Sequence, residues 1–500
     1  MPNAIADPTL SETEPVRAPL RAAHQTVFVA VFALTLFRVV LALFDRTELS
    51  TDEAQYWFWG QTFDFGAYSK PPLIGWILRL STDLLGQTVA AVRLPSALFH
   101  GASALLLFHA ALRIASPPVA LLASLSYLTT PAVALGTALM TTDTPMLFAA
   151  ALALLAQIGL AEARSGGRRA IGWALLFGLS LGLGILAKHA MLFWIAGAFV
   201  AGWLSPRLRP RAGDAALAAA VMIAVILPHL AWLARHDFIT LHHIQDITRG
   251  HALSASRPLQ FLAEQLVVMG PILFPAMLIA AARAQRGTWA RGLAALALVP
   301  LLIVVAQGVK GPVLANWAVL YLIPGSVLAA LWLVHHPWLA RISLGLGLAI
   351  SLALPVVKVS GAGLPWETDK PLLSRYLGHG EPAQWALEAA KAAGAGTLVA
   401  QGRGIIADLS WFGADAGLAI RAMPPAGKPT HHWEATAPFD PNADPRPVLL
   451  LWSDEAPVPC GQAILISRFK APPGAYGGNT FNLWRLEYPD CLAIQGAADE

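Results

Sequence analysis

The chain has 500 residues, 56% of them hydrophobic and 13% charged, with a formal net charge of +4. Soluble domains carry roughly 25% charged residues, so this composition excludes an ordinary soluble protein. Nor does the basic balance indicate nucleic acid, because the surplus arginine sits in short breaks between apolar runs, where it sets membrane topology.

Residues 1–23 read as a polar cytoplasmic tail, and Gln25–Phe44 is too long for a signal-peptide core, so it reads as a retained anchor. Apolar runs near 24–44, 92–113, 118–138, 145–163, 170–187, 190–204, 215–234, 259–282, 292–306, 317–334 and 342–358 predict about eleven spanning helices within a membrane domain, 24–358. The breaks at Arg164–Arg169, Ser205–Asp214, Arg283–Arg291 and His335–Arg341 are rich in arginine or histidine and fall on one side, expected to be cytoplasmic. The first external loop, 45–91, and the turns around Asp143, Lys188, His242 and Lys310 then share the opposite face. "GLSLGLGILAK" has small residues at helical spacing and no preceding strand, so it predicts close helix packing and no phosphate loop. After Val359 the runs stop. "EPAQWALEAAKAAG" predicts a glycine-capped helix, and "GTLVAQ", "PVLLLW" and "AILISRF" predict strands of a small extracytoplasmic α/β domain, 359–500. Its cysteines, Cys460 and Cys491, would meet an oxidising compartment, where a disulfide between them and two free thiols are both open.

The first external loop holds adjacent carboxylates, Asp52 and Glu53, then an aromatic run, Tyr56–Trp59, and Lys70 ahead of two prolines. Each has a plain structural use: Asp143 as a helix cap, Lys70 as an interfacial anchor, the aromatics as a headgroup belt. Together, cations kept beside carboxylates on the face that topology keeps poor in lysine and arginine suit a reaction with a phosphate. A sugar transferred there from a lipid phosphate needs positive charge on the leaving group and a carboxylate to take the acceptor's proton. A transporter or lipid flippase is the rival reading; it would place polar groups near the midplane, within internal repeats.

"TDEAQYWFW" with "YSKPPLIGW", followed in order by "ALMTTDTPMLFAAALAL", "GLGILAKHAMLFW", "HDFITLHHIQD" and "GPVLANWAVLYL", resembles the GT-C membrane glycosyltransferases. Within these it is similar to the protein O-mannosyltransferase-like and aminoarabinose- or galacturonosyl-transferase-like group. The resemblance implies a polytopic GT-C fold in a bacterial inner membrane, with its active site and C-terminus periplasmic. It implies a polyprenyl-phosphate sugar donor, a membrane lipid, transfer with inversion to lipid A, a glycan or a protein, and no nucleic acid partner. Position by position, it implies Asp52, Glu53 and Asp143 as catalytic residues and Lys70 and Lys188 on the donor phosphate, where Arg249 and Lys310, further cations of the same face, are expected to join them. Tyr56, Trp59, Tyr68, His189, Asn316 and Trp317 would bind substrate, and Asp52, Glu53 and His243 would hold a divalent metal if one is used.

Overall fold

The computed structural model describes residues 14–166, 170–248, 251–363, 368–453 and 460–492. The helices in chain order are α1 (Glu14–Leu43), α2 (Thr51–Gly60), α3 (Leu73–Leu85), α4 (Val89–Leu112), α5 (Pro117–Leu128), α6 (Pro131–Gly136), α7 (Asp143–Ser165), α8 (Ile171–Ala187), α9 (Met191–Leu204) and α10 (Ala212–Arg235). They continue with α11 (Ile239–Thr248), α12 (Ser256–Val268), α13 (Leu273–Arg283), α14 (Trp289–Lys310), α15 (Leu322–Leu333) and α16 (Pro337–Gly361). Among the described residues, seven helical segments are long and apolar enough to span a membrane, or eight if the bent pair α12–α13 counts as one. The expected eleven runs all fall on helices, but not all on full-length ones. The 118–138 run breaks at Pro131 into α5 and α6, because proline starts a helix readily and cannot continue one. The 259–282 run bends by 110° between α12 and α13. The helices α8 and α9, with 17 and 14 residues, rise only about 25 and 21 Å.

Packing explains the glycine spacing of α8. A Cβ on Gly178 would strike the Ala218 carbonyl and Val221, and one on Gly182 would meet Val225 at 2.7 Å, so α8 lies directly on α10. Three of the four arginine-rich breaks meet at one end of the bundle: Arg164 donates to the Pro206 and Arg209 carbonyls, and the Gly287 amide to the Leu204 carbonyl. From that end α8, α10 and α14 run back to the end where Lys188, His236 and Lys310 stand.

The expected loop 45–91 contains two helices. Ser50 and Glu53 form a reciprocal capping box at the start of α2. The far end of α3 exposes Leu80, Leu84 and Leu85, as suits a helix lying at a membrane surface. Beyond α16 come α17 (Gly380–Ala392), β1 (Thr397–Ala400), α18 (Arg403–Phe412), β2 (Ala419–Ala422), α19 (His432–Thr436), β3 (Val448–Ser453), β4 (Ala463–Lys470) and β5 (Thr480–Leu486). The sheet order is β2-β1-β3-β5-β4, with β1 parallel to both neighbours and β5 antiparallel to β3 and β4. Cys460 and Cys491 are disulfide-bonded, with Cα atoms 5.7 Å apart.

A buried ionic network holds the first loop. Arg93 of α4 donates to both Glu53 oxygens at 2.9 and 3.0 Å, to Asp45 at 2.8 Å and to the Glu48 carbonyl at 2.7 Å. Lys358 of α16 donates to the same Asp45 oxygen at 2.8 Å and to the Ala138 carbonyl. Burial alone would raise the Glu53 pKa; the Arg93 charge and hydrogen bonds outweigh it and hold the carboxyl below its usual range. Two cations face two carboxylates, each side chain 5% exposed or less. Removing one member leaves an uncompensated buried charge. Arg93→Met is therefore expected to cost about 3–5 kcal/mol of stability, read as a lowered unfolding temperature in detergent. An unchanged temperature would show that the network carries no such strain.

Candidate active site

The Arg93 network turns Glu53 inward and leaves its neighbour Asp52 facing a cleft. The capping box and Arg93 occupy both Glu53 oxygens, and the Met140 amide adds a bond at 3.2 Å. The expectation that Glu53 takes part in chemistry or holds a metal does not match this geometry: the side chain is 1% exposed and serves the fold.

Asp52 is 35% exposed and accepts from two arginines of the C-terminal domain. Arg375 Nη2 lies 3.0 Å from Oδ2, and Arg403 Nη2 donates to Oδ1. Gly402, with φ at 94°, makes the turn from β1 that places Arg403 at the start of α18. Gln55 receives the Arg403 Nε–H at 2.5 Å. The segment carrying Arg375 is held by buried His379, whose Nε2 donates to the Arg375 carbonyl at 3.1 Å. His379 Nδ1 meets Asp408 at 2.9 Å, and Tyr476 donates to the same Asp408 oxygen at 2.5 Å. Burial disfavours the charged imidazole, but the hydrogen bond and charge of Asp408 override it and raise the His379 pKa. The cleft is lined by Thr51, Asp52, Ser374, Arg375, His379, Arg403, Gly404 and Ala475.

A second carboxylate stands nearby. Asp143, at the start of α7, accepts from Lys188 at 2.6 Å and from Asn316 at 2.7 Å. Lys70 lies among these groups and feels the charges of Lys188, Asp52, Asp143 and Arg403. Its loop is fixed by the Ala67 amide on its own carbonyl and by Thr240 on the Ala67 carbonyl. Among the described residues its ammonium has no hydrogen-bond or ion-pair partner. Burial first, and Lys188 second, lower its pKa to about 8.

The other expected residues divide. His189 Nε2 meets His229 Nε2 at 3.0 Å, while His229 Nδ1 donates to the Phe65 carbonyl at 2.7 Å, so the proton between the two rings belongs to His189. Burial, then His229 and Lys70, lower the His189 pKa to about 4, and it stays neutral. Tyr56 is buried beside Asp52 and Asp143. Trp59 packs on Tyr56 and His432, and Trp57 on Trp411, so the aromatic run of α2 joins the membrane domain to the C-terminal domain. Tyr68 packs against His243 with the rings tilted at 57° and donates to the Pro429 carbonyl at 2.7 Å. Trp317 is half-buried against the membrane core, and Lys310 is exposed at the end of α14. Arg249 lies outside the described residues.

Asp52, Glu53 and His243 do not converge. Asp52 is paired with arginines and Glu53 with Arg93, and among the described residues no three His, Cys, Asp or Glu side chains are placed to share an ion. This donor set does not fit a divalent metal.

Sequence reading overlooked Arg375, Arg403 and the His379–Asp408 pair. The one available signal was "QGRG" after a strand, a glycine-flanked arginine at a helix start.

Three comparisons bear on this geometry. Residues 69–232 match the family model described as dolichyl-phosphate-mannose-protein mannosyltransferase. The chain is 36% identical over 473 residues to a lipid A galacturonosyltransferase of Rhizobium johnstonii, covering 93% of this chain and 98% of that protein. Over a shorter stretch, 32% of this chain and 30% of the relative, it is 29% identical to an undecaprenyl phosphate-α-4-amino-4-deoxy-L-arabinose arabinosyl transferase of Pseudomonas fluorescens. The fold is similar to ArnT from Cupriavidus metallidurans bound to undecaprenyl phosphate, with a TM-score of 0.64 and 14% identity, covering 91% of this chain and 97% of that one. The chain belongs to the GT-C membrane glycosyltransferases. It is a multi-span membrane enzyme that transfers a sugar, which sets aside the transporter alternative.

Proposed function

We propose that the enzyme moves a hexuronic acid from a polyprenyl-phosphate donor to lipid A on the periplasmic face of a bacterial inner membrane. The observation that carries the phosphate donor is Lys70: an ammonium with no hydrogen-bond or ion-pair partner among the described residues, within reach of the charges of Lys188, Asp52 and Asp143. The relative that spans nearly the whole chain is named for galacturonate transfer to lipid A, and the ArnT structure contains undecaprenyl phosphate. Relatives named for transfer to the lipopolysaccharide core, and the family model described for transfer to protein, each match less than half of the chain.

In this reading Lys70 binds the donor phosphate, and Asp143 positions Lys188 and Asn316 around it. An acceptor hydroxyl approaches carbon 1 of the sugar from the side opposite the phosphate. Its proton passes to the Asp52 carboxylate as the new carbon–oxygen bond forms. The bond from carbon 1 to the phosphate oxygen breaks, and the electron pair leaves with polyprenyl phosphate. A positioned carboxylate contributes roughly 10²–10⁴-fold in such a step.

Asp52→Asn keeps the shape and removes the base. Transfer from polyprenyl-phosphate galacturonate to lipid A in proteoliposomes, followed by mass spectrometry, is expected to fall by about 10² or more, with donor binding retained. Near-wild-type turnover would remove Asp52 from the chemistry. Lys70→Ala is expected to weaken donor use by about 1.5–3 kcal/mol. Because burial, and then Lys188, lower the Lys70 pKa to about 8, donor affinity should decline as pH rises through that value; Lys70→Arg keeps its charge and should lose that decline. An identical pH profile in both proteins argues against a phosphate contact. Reporter fusions after Gly287 and at the C-terminus should report cytoplasm and periplasm respectively, and a cytoplasmic C-terminus reverses the orientation.

A further inference from the structure

We propose that Arg403 and Arg375 form a carboxylate-reading subsite, which selects an acidic sugar and sets it against Asp52. The inference rests on the transferase reading above and assigns its sugar specificity to residues outside the membrane domain.

Charge supplies the first argument. Among the described residues, the charged groups that act on Lys70 or pair with Asp52 and Asp143 are four cations, Lys70 itself, Lys188, Arg375 and Arg403, against those two carboxylates. A donor phosphodiester brings one negative charge. One positive charge then remains unmatched, and it lies with the arginines: Asp143 already neutralises Lys188, while two guanidiniums share the single carboxylate of Asp52.

Geometry supplies the second. Each arginine spends one Nη2 on Asp52, and Arg403 also spends its Nε on Gln55. Among the described residues, Arg403 Nη1 and the Nε and Nη1 of Arg375 have no partner. Both residues line the cleft, at 40% and 68% side-chain exposure. The subsite is also built. Gln55 fixes one guanidinium, and the buried His379–Asp408–Tyr476 chain fixes the backbone that bears the other. A surface arginine serving only solubility needs neither support.

Chemistry supplies the third. Planar guanidiniums match a carboxylate through paired N–H donors, which a lysine does not. In a hexuronic acid the carboxylate on carbon 5 lies across the ring oxygen from carbon 1. A sugar whose phosphate rests on Lys70 and whose carbon 1 faces Asp52 therefore carries that carboxylate beside Asp52, where the arginines are. In a neutral hexose a hydroxymethyl group stands there, and the arginine donors go unmatched.

The test compares two donors that differ only at this group, polyprenyl-phosphate galacturonate and polyprenyl-phosphate galactose, with the full-length protein in proteoliposomes. The wild type is expected to favour galacturonate by about 10²-fold or more in kcat/KM. Arg403→Gln and Arg375→Gln should each cut that ratio by at least about 10-fold, the size of a lost charged hydrogen bond. Because both donors are assayed on one preparation, the ratio does not depend on how much variant protein folds. A wild-type ratio retained in both variants overturns the subsite while leaving the transferase reading intact. So does a variant defect that disappears with dephosphorylated lipid A, since the arginines would then read the acceptor's phosphate. A wild type indifferent to the two donors, or active with neither, overturns the subsite together with the proposed sugar.

Discussion

The architecture of the site depends on the pairing of Arg93 with Glu53 inside the protein. Neighbouring residues on a helix point about 100° apart. Once Glu53 is drawn inward to Arg93 and to its own capping box, Asp52 turns toward the cleft. The same guanidinium reaches Asp45, and through it Lys358 at the end of the last span. The start of α2 is thereby tied to α4 and α16 at once. Desolvating four charges is costly and recovers its cost only when each is paired, so the network confers a single arrangement more than it confers stability. That suits a carboxylate that must be aimed.

The C-terminal domain completes what this network begins. Glu48 caps the start of α17, receiving the His379 and Gly380 amides at 2.6 and 2.7 Å, where the helix dipole favours negative charge. The aromatic run of α2 fills the same seam, with Trp57 on Trp411 and Phe58 on Trp433. One continuous hydrophobic core contains α2, α3 and the inner face of the sheet. The domain is a wall of the cleft that opens onto the membrane end of the bundle.

Much of this was legible in the sequence, unevenly and for physical reasons. The spans and the α/β domain follow from hydropathy and composition, which are local signals. Full-length spans do not: Pro131 and the bend before Leu273 shorten helices whose apolar runs read as continuous. Lys70 and Lys188 stood out because lysine on the expected external face runs against the positive-inside bias, and Asp143 because it shares that face with them; the fold brings the three together. Glu53 misled because it adjoins Asp52, although Ser50-Thr51-Asp52-Glu53 also spells a capping box. Arg375 and Arg403 lie 323 and 351 residues from Asp52 along the chain, and no local pattern links such partners.

The seam between α2 and the sheet bears on how such enzymes diversify. A graft of the C-terminal domain from one relative onto the membrane bundle of another would mismatch Trp57 with the residue at 411, Glu48 with the start of α17, and Gln55 with the residue at 403. The module that forms this seam is therefore discontinuous, one short helix near the N-terminus plus the C-terminal domain. Variation in these two stretches should be correlated, and a chimera made at the boundary of the membrane domain cuts through the middle of that module.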